Sequence, residues 1–129
     1  MVRWGRHGPD LLSDIHDRLR VGDDADEGRY LGHIEGTVVA SAFYKVRAST
    51  WIFTHTEVDK DHSGQGIGSA VVRYALDDVR AKGGKVVPIC PFVAAFIKRH
   101  PEYQDLVDHE EWDGIRSRQE ARGSATPGR

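Results

Sequence analysis

The chain has 129 residues, of which 18 are basic, 20 are acidic and one is a cysteine. That length suits one domain with a core of its own, and the near balance of charge argues against a nucleic-acid-binding surface. A single cysteine excludes an internal disulfide, no His or carboxylate run has metal-ligand spacing, and no apolar run approaches the roughly 20 residues of a membrane-crossing helix.

Residues 1–9 lack the apolar segment of a signal peptide and read as loose, so a reduced, cytoplasmic setting is expected. Residues 10–19 fit either a short helix or the approach to a strand at 18–21. The acidic, turn-rich stretch 22–28 reads as a loop. Residues 29–34, 37–46 and 51–58 are rich in β-branched and aromatic side chains, with Glu35-Gly36 as a hairpin turn, and predict an antiparallel meander. Residues 67–82 carry Ile67, Val71, Val72, Ala75, Leu76 and Val79 at helical spacing, with Arg73, Asp77, Arg80 and Lys82 outside the stripe. Gly83-Gly84 ends that helix. Residues 85–90 form a short apolar strand whose continuity predicts burial on both faces, as in a parallel pair. Pro91 suits the first turn of a second helix over 91–100, which Pro101 stops. From Asp108 the chain turns polar, and 108–129 is expected to be a disordered tail.

The most informative stretch is His62-Ser63-Gly64-Gln65-Gly66-Ile67-Gly68-Ser69, between the strand 51–58 and the helix at 67. Alternating glycines let backbone N–H groups converge into a nest for anionic oxygen, and the helix N-terminus behind them adds positive partial charge. No Lys follows Gly68, so this is not a nucleoside-triphosphate loop. The spacing is GxGxG rather than GxGxxG, and the turn follows a meander rather than opening a parallel sheet, so it is not a dinucleotide fingerprint. A tight connection with no ligand is the remaining alternative.

Taken in order, Phe53-Thr54-His55-Thr56-Glu57-Val58, the glycine turn through Ala70, Val86-Val87-Pro88-Ile89-Cys90-Pro91-Phe92 and Arg99-His100-Pro101-Glu102-Tyr103 resemble one family. They look like the small single-domain branch of the GNAT superfamily of N-acetyltransferases, which use acetyl-coenzyme A. The resemblance covers roughly residues 18–107, leaving 1–17 as an N-terminal extension. It implies an α/β (α+β type) domain: a mixed sheet of antiparallel meander plus a parallel crossover strand, with helices packed on both faces. The sheet would splay between the strands 51–58 and 85–90. The pantetheine arm of CoA would pair there with backbone near Thr56 to Val58, and the pyrophosphate would rest on N–H groups of Gln65, Gly66, Ile67, Gly68 and Ser69, with Ser63 and Gly64 also at the cofactor. The superfamily motif has Arg or Gln where this chain has Ser63, a departure expected to weaken cofactor binding without abolishing it. The implied acceptor is a primary amine, on a small molecule or a protein, with no nucleic-acid or membrane partner and a monomeric or homodimeric state. A rival implication is a non-catalytic CoA-binding or protein-interaction module on the same fold.

Three residues are candidates for the chemistry. Cys90 ends a strand just before Pro91, where the positive end of a helix dipole activates a thiol; the resemblance places it by the acetyl group as a nucleophile, and the alternative is a small buried hydrophobe. Glu57 would relay a proton from the acceptor amine, or else make a surface ion pair. His55 should share a face with Glu57, as base or as an ordinary strand histidine. His62 reads as a solvated loop residue, Tyr103 as a packing residue, and Phe92 and Phe96 as core. The acidic run Asp105, Asp108, Glu110, Glu111 and Asp113 reads as either an attractant for a cationic acceptor or a solvated surface.

Overall fold

The computed structural model describes residues 18–125. They form a five-stranded mixed sheet in the order β1-β2-β3-β4-β5, with the strands Leu19–Asp24 (β1), Arg29–Ile34 (β2), Thr37–Arg47 (β3), Thr50–Val58 (β4) and Lys85–Pro88 (β5). β1 to β4 pair antiparallel, and β5 pairs parallel to β4. The expected helix over 10–19 falls largely outside the described residues, and the strand there begins at Leu19. β1 also runs on into the stretch read as a loop. Its acidic residues have partners that hold it extended: Tyr44 Oη donates to Asp23 Oδ1 at 2.6 Å, and Arg29 Nε to Asp24 Oδ2 at 3.3 Å.

Helix α1, Ile67–Ala81, buries the predicted stripe of Ile67, Val71, Val72, Ala75, Leu76 and Val79 against all five strands. A polar chain ties its far end to the sheet. Tyr30 Oη donates to Asp78 Oδ2 at 2.7 Å, and Lys82 Nζ lies 2.6 Å from Asp78 and 3.1 Å from Asp23. Burial opposes the charge on Asp78, yet the hydrogen bonds from Lys82 and Tyr30 outweigh it and hold this carboxyl below the usual range.

The helix closes on a Schellman motif, with Gly83 N–H bonding Arg80 O and Gly84 N–H bonding Val79 O. Gly84 then runs against Trp51: a Cβ there would stand 2.5 Å from Trp51 Cζ3 and 2.9 Å from Ser49 O. Neither a ring wedged under Lys82 nor a backbone carbonyl yields easily, so Gly84→Ala is expected to cost about 1–3 kcal/mol through overpacking. Thermal melting checks this, and an unchanged midpoint would contradict it.

β5 is shorter than the predicted 85–90. Pro88 has no N–H to offer a ladder, Ile89 N–H turns back to Val87 O, and Cys90 N–H bonds Phe53 O at 2.9 Å. Helix α2, Pro91–Arg99, follows, then a 3-10 segment Pro101–Leu106. Val107 bridges in parallel to Val86 at the free edge of β5.

The tail expected to be disordered is instead helical over His109–Ala125, helix α3. Its start is fastened by tertiary contacts. Asp108 accepts hydrogen bonds from Thr50 Oγ1 at 2.7 Å and from Glu111 N–H at 3.1 Å, Glu111 pairs with Arg47, and Trp112 packs on the core. The mixed sheet with packed helices is as expected, with α1 against all five strands and α3 against β5. Tyr30, Ala42 and Phe53 face the helical core, whereas Leu31, His33, Phe43, His55 and Glu57 on the opposite face range from half-buried to exposed.

Candidate functional site

The glycine turn is built on left-handed glycines at the start of a helix. After β4 a 3-10 turn, Lys60–His62, leads to Gly64 and Gly66, both at left-handed φ (80° and 78°). That conformation makes glycine necessary at the start of α1, which carries no side-chain cap and no acidic residue in its first turn. The helical ladder begins with Ala70 N–H to Gly66 O, so the N–H groups of Ile67, Gly68 and Ser69 lie outside it. They open on a cleft of about 420 Å³, lined by Val58, His62, Ser63, Gly64, Gly66, Ile67, Gly68, Ser69 and Phe92. His62 Nδ1 is held 2.8 Å from Asp59 Oδ2. The Ser63 hydroxyl is spent inside the turn, donating to Lys60 O at 3.1 Å.

From this cleft an open strand edge leads inward. β4 pairs with β5 only from Thr50 to Phe53, and the Cys90 N–H bond to Phe53 O closes the fork. Beyond it, residues 55–58 keep β3 on one side and, among the described residues, have no strand on the other. The edge from Phe53 to Val58 spans about 16 Å at the rise of a strand. Val58 stands at the glycine-turn end, and Cys90 at the fork. Cys90 is 2% exposed, and its Sγ lies 3.4 Å from Thr56 Oγ1.

A bulge decides which side chains meet along this edge. Tyr44 pairs with Phe53 and Phe43 with His55, so Thr54 is one residue extra on β4. Thr56, against Cys90, and Val58, against α1, therefore share the core face with Phe53. His55 and Glu57 point to the open face, as alternation requires. His55 Nε2 lies 3.0 Å from Glu57 Oε2, its ring stacks on Phe43 at 4.6 Å, and the two side chains are 55% and 67% exposed. The three catalytic candidates thus fall into two groups. His55 and Glu57 are brought together, and neither is brought to Cys90.

A model of the GCN5-related N-acetyl-transferase family matches residues 29–106, more than half of the chain. The chain belongs to that family. Among solved structures it is similar to the ribosomal-protein-S18-alanine N-acetyltransferase from Escherichia coli, at 19% identity and a TM-score of 0.43, over 57% of this chain and 54% of that one. The chain therefore spans about half the length of that enzyme. No match was found among curated proteins.

For a member of this N-acetyltransferase family, the remaining candidates sort by contact. Tyr103 donates to Asp77 at 2.7 Å, and burial followed by that bond pushes its phenol up, which suits a packing residue rather than an acid. Phe96 is core, as expected, but Phe92 is 37% exposed and lines the glycine-turn cleft. Most of the acidic run is engaged in structural pairs: Asp105 takes both guanidinium nitrogens of Arg80, Asp108 fastens α3, and Asp113 pairs with Arg116. Among the described residues no His, Cys, Asp and Glu cluster is placed to hold a metal ion.

Sequence reading missed a second cleft of about 440 Å³, lined by Gly66, Ser69, Ala70, Arg73, Phe96 and His100 and sharing Gly66 and Ser69 with the first. Periodicity puts Arg73 outside the apolar stripe of α1. The signal available was its position one turn after Ser69, at the start of the helix.

Proposed function

We propose that the protein is an acetyl-CoA-dependent N-acetyltransferase acting on a primary amine. The observation that carries this reading is the uninterrupted path from the uncapped N-terminus of α1, along the unpaired edge of β4, to the fork at Cys90. Backbone N–H groups at the glycine turn bind the diphosphate, aided by the helix dipole. The free edge of β4 at Thr56 and Val58 pairs with the amide-bearing arm as a neighbouring strand would. This places the thioester at the fork, beside Cys90.

In this reading acetyl transfer falls to two sets of residues. Cys90 Sγ attacks the acetyl carbonyl; the carbon–sulfur bond to CoA breaks, and CoA leaves as its thiol with the proton that Cys90 gives up. The amine reaches the acetylated Cys90 through the gap beside residues 55–58 of β4, beyond the fork. An amine is protonated at neutral pH and must lose a proton before it attacks. His55, oriented by Glu57 and Phe43 on the other face of β4, takes that proton through intervening water. Collapse onto the amine nitrogen forms the amide and restores the Cys90 thiol.

The test is incubation with acetyl-CoA and a set of amines (free lysine, a polyamine, peptides with free N-termini). Thiol release is followed by a colorimetric thiol reagent and the acetylated product by mass spectrometry. CoA binding without turnover on any amine would favour a CoA-binding module, and neither binding nor turnover would reject the reading.

A further inference from the structure

We propose that Arg73 and His100 bind the 3′-phosphate of coenzyme A, so that the protein selects CoA over dephospho-CoA. This rests on the cofactor reading above and goes beyond it. The two clefts adjoin at Gly66 and Ser69, which line both, so a ligand whose diphosphate lies at the N-terminus of α1 has the second cleft beside it. Arg73 is four residues after Ser69, about 6 Å further along the helix axis. A sugar joined to the diphosphate spans such a gap.

The second cleft has the chemistry of a phosphomonoester and base site. Its floor is Phe96, which is buried, and the His100 ring stands 4.2 Å from the Phe96 ring. The Arg73 guanidinium lies over Phe96 at 5.4 Å and over Tyr103 at 5.7 Å. Nη1 of Arg73 donates to Tyr103 Oη at 3.2 Å, and Nη2 lies 3.4 Å from His100 Nδ1. Arginine has no acceptor, so Nδ1 must accept and Nε2 carries the ring proton as a second donor. The Arg73 side chain is still 46% exposed and so within reach of a ligand.

The opposing charge is Glu102. Its Oε2 is 3.8 Å from Arg73 Nη1 and 3.9 Å from His100 Nδ1, and its side chain is exposed. A phosphate with nearly two negative charges and three acceptor oxygens displaces a single carboxylate held at such distances. Ser63 adds no charge to the turn. Among the described residues lining the two clefts, Arg73 is the one permanently charged group. Arg73 supplies a cation ten residues after Ser63 and one helical turn after Ser69.

Titration calorimetry with CoA and with dephospho-CoA tests this on the full chain and on two variants. The unaltered protein is expected to bind CoA roughly ten- to a hundredfold more tightly than dephospho-CoA, the range for a charge-assisted pair. Arg73→Gln should bring the two affinities together by weakening CoA alone. Glu102→Gln should tighten CoA a few-fold and leave dephospho-CoA unchanged, a gain that a merely structural contact would not produce. Equal affinities in the unaltered protein, or a preference that survives Arg73→Gln, would overturn the inference while sparing the cofactor reading. Binding of neither compound would overturn both.

Discussion

Replacing Cys90 by alanine is expected to slow acetyl transfer by roughly a hundredfold or more, the scale on which loss of a nucleophile or of a proton-transfer group acts, with CoA affinity changed little. Cys90 sits at the fork where β4 and β5 part, with its N–H already committed to Phe53 O and its Sγ against Thr56. Alanine keeps that backbone bond and removes one buried sulfur, a change of about 1 kcal/mol in a site this small. The cofactor-binding edge therefore survives while the attacking atom is gone. Mass spectrometry of the unaltered protein with acetyl-CoA alone should find one acetyl group on Cys90. Glu57→Gln should cost less than about tenfold, because Glu57 is exposed on the opposite face and acts only through His55. Full turnover in the Cys90 variant would show that the amine attacks the thioester directly, and His55→Gln should then be the damaging change.

Gly66→Asp is expected to weaken CoA binding beyond about a hundredfold, since several charge-assisted bonds to phosphate are lost at once. Gly66 is the N-cap of α1 at a φ of 78°. Two effects on stability oppose each other. An L-residue in left-handed geometry costs about 1–2 kcal/mol. An aspartate at an N-cap recovers about 1 kcal/mol by accepting hydrogen bonds from the first-turn N–H groups. The melting temperature should therefore move little. Binding has no such compensation, because the carboxylate occupies the same N–H groups that the diphosphate needs and repels it as well. Calorimetry with CoA and a melting curve on the same sample separate the two effects. Unchanged affinity would show that the diphosphate lies elsewhere.

The parts of this fold that are legible in the sequence are those that local chemistry determines. β2 runs over Arg29–Ile34 as its alternation indicates, and Glu35-Gly36 makes the hairpin with both residues at positive φ, the mirror-image turn that suits strand twist. The stripe of α1 and the Pro91 start of α2 are equally local. The misread parts are decided by distant partners. The acidic end of β1 is a strand because Tyr44 and Arg29 reach it, and α3 begins because Thr50 bonds Asp108 and Trp112 finds the core. Neither contact leaves a periodic trace in its own segment. The site behaves similarly. The glycine turn is readable from its residue types, and the pairing of His55 with Glu57 from alternation. That both face away from Cys90 depends on the Thr54 bulge and on where β5 leaves β4. Arg73 looked like one more solvated charge until the 3-10 segment Pro101–Leu106 brought His100 and Tyr103 beside it.

The extra residue at Thr54 has a consequence for how this strand can evolve. An inserted residue works as a half-period phase shift: every position after it is read on the opposite side from the one that counting would assign. Straightening the strand with Thr54 kept in the ladder would move Thr56 and Val58 to the outside and drive a histidine and a glutamate toward the packed interior, whereas deleting Thr54 would leave Phe53 and His55 as ordinary neighbours with every later side chain on its present face. A deletion in the 3-10 turn after β4 would only shorten a loop. A one-residue deletion at the bulge should therefore be absorbed by loss of the bulge, whereas a lineage that flattened the bulge and kept all its residues would have to rebuild the whole outer half of the strand together.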